Sequence, residues 1–177
     1  ILKIPHIGIV PKSKKKRNNS KPEQQYLDDS RSPFAECFNT IRTGLEFSNI
    51  ENPPKTLLIT SAKRSEGKTT TAINLAAAYS NIGNTLLLEV DIRKPSIANC
   101  LGITNNYGLT DFIEGSVNSL EEIIHKTNKL NVISCGSITN NPIELLSSDK
   151  FSKTLEYLKS HFDYIILDGP PTLPVSD

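Results

Sequence analysis

The chain has 177 residues, 37% of them hydrophobic and 22% charged, which suffices for a buried core and excludes a disordered or fibrous chain. A net charge of +1 gives no field that would gather nucleic acid, so no nucleic-acid partner is expected. The charge is uneven: residues 1–21 carry Lys3, Lys12, Lys14, Lys15, Lys16, Arg17 and Lys21 and no acid, so a basic arm precedes a net acidic body.

In chain order, the opening ILKIPHIGIV reads as a short extended segment. The polar, basic run behind it has no apolar periodicity, so residues 1–31 read as a linker and order is expected to begin near Ser32. Ser32 as cap, Pro33 at the first helical position and Phe34, Phe38, Ile41 and Leu45 at three-to-four spacing predict an amphipathic helix. KTLLITS is a strand candidate. From Gly67, the spacing of Ile73, Ala76, Ala77 and Tyr79 predicts a helix that stops at NIGN. TLLLEVD (85–91), LNVISC (130–135) and DYIILD (163–168) are further strands, separated by helical patterns in LTDFIEG, LEEIIHK and NPIELLSSDKFSKTLEYLKSHF, the last read as two helices. Apolar strands alternating with helices imply an α/β fold, a parallel sheet with helices on both faces.

Cys37, Cys100 and Cys135 are odd in number, far apart and without a C-x-x-C pair, which argues against a disulfide framework or zinc site and fits a reducing setting. His6, His125 and His161 have no metal-ligand spacing. No apolar run approaches the roughly 18 residues that span a bilayer. The first residue is Ile rather than Met, which fits a segment whose neighbours, a membrane helix among them, lie outside it.

The chemistry gathers at SAKRSEGKTTTAINLA. Ala62-x-x-x-x-Gly67-Lys68-Thr69 is a phosphate-binding loop with Ala where Gly is commoner, placed between strand and helix as its mechanism requires. Backbone N–H groups and a helix N-terminus converge on one concavity, and Gly67 has no side chain to block it. Lys68 is then expected on the β/γ-phosphates and the Thr69 hydroxyl on Mg²⁺. Asp168 ends an apolar strand, the Walker B position beside the Mg²⁺ shell. Glu89 and Asp91 flank Val90, so on a strand they share one face and are expected to look toward the phosphates.

Together, SAKRSEGKTTTAINLA, LLLEVDIRKP, GLTDFIEG, NPIELLSS and FDYIILDGPP resemble the bacterial tyrosine kinases of capsule and exopolysaccharide synthesis and export, from about Ser32 to Asp177. IPHIGIVPK resembles the stretch that follows the second membrane helix where such kinases are fused to a Wzz-type activator. The resemblance implies a P-loop NTPase-like domain over 32–177, truncated on its C-terminal side, behind a juxtamembrane linker at 1–31. It implies autophosphorylation on tyrosine with ATP and Mg²⁺ at the cytoplasmic side of the inner membrane. Phosphates are expected on Ser65, Glu66, Gly67, Lys68, Thr69 and Thr70, and Mg²⁺ on Thr69, Asp91 and Asp168; Glu89 stands where the family has an Asp and is the candidate base. Implied partners are a transmembrane activator, further copies as oligomer and substrate, and a phosphatase. Two features depart from the family: its E-x-x-R-x-x-R oligomer motif reads Glu36, Asn39, Arg42, and its C-terminal tyrosine cluster is absent.

Two other readings share the fold. Lys63 follows Ala62 where partition and septum-site ATPases of the ParA/MinD type carry a signature lysine, although their K-G-G is missing. A nonenzymatic scaffold is disfavoured by the intact Lys68, Thr69 and Asp168. The basic arm is either a solvated tether or an attachment to anionic headgroups, each basic residue near such a surface adding about 1 kcal/mol.

Overall fold

The computed structural model describes residues 5–12, 21–104, 106–127 and 129–173. A 3₁₀ turn at Pro22–Gln24 leads into α1, Gln25–Asp28, and then α2, Pro33–Phe47. The expected start of α2 is met: the Ser32 hydroxyl accepts from the Ala35 N–H at 3.2 Å, with Pro33 behind it. β1 is Thr56–Ile59, α3 Lys68–Tyr79, β2 Thr85–Glu89, α4 Ile97–Leu101 and α5 Leu109–Glu114. β3, His125–Lys126, and β4, Asn131–Ile133, are followed by α6, Pro142–Leu146, α7, Asp149–His161, and β5, Tyr164–Asp168.

The strand order is β1-β5-β2-β4-β3, parallel throughout except for β3, which runs antiparallel to β4 at the edge. Side chains alternate across β2: Leu87 packs with Phe38, Ala76, Tyr79 and Ile97 on one face, while Leu86 and Leu88 pack with Leu109, Ile113, Leu145 and Leu158 on the other. Both faces are thus covered by helices. α3 is buried from Ala72 to Tyr79, and its run of alanines lets it lie between the sheet and α2.

Two expectations need correcting. Order does not wait for Ser32: Tyr26 of α1 is 3% exposed, its N–H donates to Asn74 Oδ1 of α3 at 2.9 Å, and its hydroxyl bridges Asn39 (2.7 Å) and Asn81 (2.6 Å). An aromatic anchor with its polar tip satisfied, joined by Leu27 against the same core, Gln24 Nε2 on Cys100 O (2.6 Å) and Asn74 Nδ2 on Pro22 O (3.0 Å), fixes a segment whose composition reads as linker. Upstream, Ile7 lies against Gly44 and Gly8 against Ile41, so residues 5–10 also rest on α2. Lys14, Lys15, Lys16 and Arg17 lie outside the described residues. The second correction is LEEIIHK, which is no helix but one 3₁₀ turn, Leu120–Glu122, followed by β3. Thr127 and Leu130 close a hairpin, the Thr127 N–H reaching the Leu130 carbonyl at 2.9 Å and the Leu130 N–H the Thr127 hydroxyl at 3.0 Å, so the chain pairs back onto β4.

Candidate active site

The loop between β1 and α3 is shaped by two left-handed residues, Ser65 (φ 62°) and Gly67 (φ 89°). A Cβ built on Gly67 meets no atom within 4 Å, so the loop opens onto unfilled space at the N-terminus of α3. The first-turn N–H groups of that helix have no intrahelical partners and point into the same space. From behind, the segment after β5 braces the loop: the N–H of Gly169 donates to Ile59 O (2.9 Å), that of Thr172 to Ser61 O (2.8 Å) and that of Leu173 to Ala62 O (3.1 Å). The Glu66 carboxylate accepts from the Lys63 N–H at 3.0 Å, so its side chain shapes the turn.

Four of the expected residues, Lys68, Thr69, Asp91 and Asp168, meet at the mouth of this loop. Lys68 Nζ donates to Asp91 Oδ2 at 2.6 Å and lies 3.8 Å from Asp168 Oδ1. The Thr69 hydroxyl donates to Asp168 Oδ2 at 2.7 Å and contacts the Ser96 hydroxyl at 3.2 Å. Asp168 is fully buried, and among the described residues its Oδ1 has no hydrogen-bond partner. Burial pushes its carboxyl up to about 6, against the lowering effects of the Thr69 hydroxyl and the Lys68 ammonium. A buried carboxylate oxygen with no donor is a costly arrangement unless a cation completes it.

Glu89 is placed differently from expectation. It is fully buried and away from the cavity, its Oε1 accepting from the N–H groups of Ser96 (2.5 Å) and Ile97 (2.8 Å) and its Oε2 from that of Cys135 (2.9 Å). The reason is local. β2 ends at Glu89, and the N–H groups of Val90 and Asp91 both donate to Asp168 O at 3.0 Å, a pairing that breaks strand alternation. Asp91 therefore turns to the phosphate side while Glu89 stays inside. The Lys94 N–H holds Asp91 Oδ1 at 3.2 Å.

The cavity in front of the loop has a volume of about 870 Å³. Ser65, Gly67, Lys68, Thr69, Thr70 and Asp91 line it as expected. Sequence reasoning missed Glu23, which enters from the turn before α1 and accepts from the Thr70 hydroxyl at 3.4 Å, and also Lys94 and Ser96. The last two stand in and just behind the quoted LLLEVDIRKP, a signal that could have found them. Ile143 and Leu146 of α6 form an apolar wall. In the E-x-x-R-x-x-R position, Arg42 turns inward to Ala78 O at 2.8 Å and Asn39 accepts the Tyr26 hydroxyl.

An AAA domain family matches residues 54–176. CapB of Staphylococcus aureus is 37% identical over 85% of this chain and 67% of its own length. The tyrosine-protein kinase YwqD of Bacillus subtilis is 38% identical over 85% of this chain and 65% of its own. This chain belongs to the bacterial tyrosine kinases. The kinase domain of the Escherichia coli tyrosine kinase Etk superposes with a TM-score of 0.80 at 30% identity, over 93% of this chain and 66% of that domain. The septum-site protein MinD of Pyrococcus horikoshii, solved with Mg-ADP, reaches a TM-score of 0.57 at 25% identity over 68% of this chain and 50% of its own. The wider P-loop fold is thus shared with the switch ATPases, while the likeness to the kinases extends over more of the chain.

The residues fit a magnesium nucleotide. The Asp91 and Asp168 carboxylates and the Thr69 hydroxyl offer hard oxygens beside Lys68, and the glycine cradle is open. Mg²⁺ is an ion held by one or two carboxylates plus substrate phosphates, and Asp91 and Asp168 are the two carboxylates gathered at Lys68.

Proposed function

We propose that the chain is the MgATP-dependent tyrosine autokinase domain of a capsule or exopolysaccharide system, working at the cytoplasmic face of the inner membrane beside a transmembrane activator. A phosphatase would reverse its modification, and the basic arm would lie near anionic headgroups. The observation that carries the reading is the donorless Asp168 Oδ1 next to Lys68, Thr69 and the Gly67 cradle.

Bound MgATP would supply the phosphoryl group and the divalent charge. The chain's own residues supply positioning and electrostatics, the main protein contributions to phosphoryl transfer. The loop from Ser65 to Thr70 binds phosphate oxygens through its N–H groups. Lys68 exchanges Asp91 for those oxygens, which frees the Asp91 carboxylate. Thr69, Asp91 and Asp168 would hold Mg²⁺. An acceptor tyrosine, with a pKa of about 10, stays protonated at neutral pH until it is oriented. Of the two acids that line the cavity, Glu23 and Asp91, Asp91 is the carboxylate paired with Lys68 at the phosphate loop.

Incubating the purified full-length protein with γ-labelled ATP tests the proposal. Phosphotyrosine that disappears in Lys68→Met is the expected outcome. Label found only as free phosphate would reassign the chain to the switch ATPases.

A further inference from the structure

Glu89 is the register partner of Asp168 on the adjacent strand, and the two carboxylates are both fully buried. Three backbone N–H groups take up both oxygens of Glu89: Ser96 and Ile97 at the start of α4, and Cys135 beyond β4. A buried carboxylate with three such donors is fixed in place and has no oxygen turned toward the cavity. Its donors, however, belong to the segments that build the site. Ser96 meets Thr69 through its hydroxyl, Thr69 donates to Asp168, and the loop from Asp91 to Ser96 carries Asp91 and Lys94 along the cavity wall. That loop is tied down at one end by Asp168 O and at the other by Glu89.

We propose that Glu89 is a positioning residue: its carboxylate clamps the Asp91–Ser96 loop and the end of β4 so that Asp91, Lys94 and Ser96 stand at the cradle, and it takes no part in proton transfer. The three donors explain the choice of side chain. Aspartate, one methylene shorter, would not span from β2 to both α4 and the end of β4, and glutamine would turn an NH₂ toward at least one N–H. The proposal rests on the reading that the cradle binds a magnesium nucleotide.

The test compares wild type, Glu89→Gln and Glu89→Asp in the full-length protein. A fluorescent ADP analogue is titrated with Mg²⁺, and hydrogen exchange of the 92–101 segment is followed without nucleotide. Both variants are expected to weaken Mg²⁺-dependent ADP binding by about tenfold, the scale of lost support behind a metal ligand, and to speed exchange at residues 94–97. Wild-type affinity and exchange in Glu89→Gln, combined with loss of tyrosine phosphorylation that Glu89→Asp restores, would make Glu89 the base and overturn the proposal. Should the Glu89 variants not fold, Ser96→Ala keeps every bond to Glu89 and removes only the hydroxyl that reaches Thr69. A several-fold weaker Mg²⁺ dependence is expected there, and an unchanged one would break the proposed link. If wild type binds no ADP, the nucleotide reading itself fails, while the exchange comparison still tests the clamp.

Discussion

The tips of β2 and β5 hold two fully buried carboxylates side by side, Glu89 and Asp168, in opposite conditions. Among the described residues, Glu89 receives three backbone N–H groups, whereas Asp168 receives one hydroxyl and keeps an oxygen without a donor. Burial alone therefore does not mark a functional acid. The informative feature is whether the fold satisfies the charge or leaves it for something outside the protein.

That contrast breaks most readily at Lys68, the cation set between Asp91 and Asp168. Lys68→Met should lower tyrosine phosphorylation by about 10²–10³-fold, as loss of a charge-stabilising donor does elsewhere; quantitative phosphotyrosine detection checks it. Asp168→Asn should cost Mg²⁺-dependent ADP affinity at least about tenfold, yet raise the stability of the nucleotide-free protein by roughly 1–3 kcal/mol, since it removes a buried charge the fold leaves partly unpaired. Glu89→Gln should do the reverse to stability, costing about 1–3 kcal/mol because satisfied N–H groups lose their acceptor. Urea denaturation of the two variants reads both signs. If they move stability the same way, the distinction drawn between the strand tips is wrong.

Acidity sharpens the same point. The Asp168 carboxyl is raised from 3.8 to about 6, so the folded state holds its proton more tightly than the unfolded chain does. Its stabilising contribution is complete below 3.8 and is lost as pH rises through about 6, at most about 3 kcal/mol. Wild type should therefore lose stability relative to Asp168→Asn between pH 4 and 7. Mg²⁺-dependent nucleotide affinity should change the opposite way, falling as pH drops below about 6, because the cation needs the ionised acid. A smaller effect is expected far from the site: Tyr26→Phe removes the hydroxyl held by Asn39 and Asn81 and should cost about 1 kcal/mol in thermal or urea unfolding.

Much of the arrangement was legible in the residues. The phosphate loop and the Asp168 strand tip follow from apolar runs that end abruptly in polar chemistry, and the cap of α2 follows from Ser32 and Pro33. Alternation misplaces Glu89 because it is carried two residues past the end of β2, to Asp91, where Val90 and Asp91 share a single acceptor. Residues 21–28 read as linker because their anchors, Tyr26 above all, find their partners on α2 and α3 and beyond, contacts invisible to local pattern. Glu23 joins the cavity for the same reason. LEEIIHK carries apolar spacing that suits a helix, and hairpin closure by Thr127 and Leu130 decides against it.

Calorimetric titration of the purified protein with ADP, with Mg²⁺ and then with excess chelator, tests the central claim most directly. One-to-one binding that requires Mg²⁺ and is lost in Asp168→Asn is the expected result. Binding indifferent to Mg²⁺, or retained unchanged in Asp168→Asn, would contradict a metal-completed carboxylate at the tip of β5.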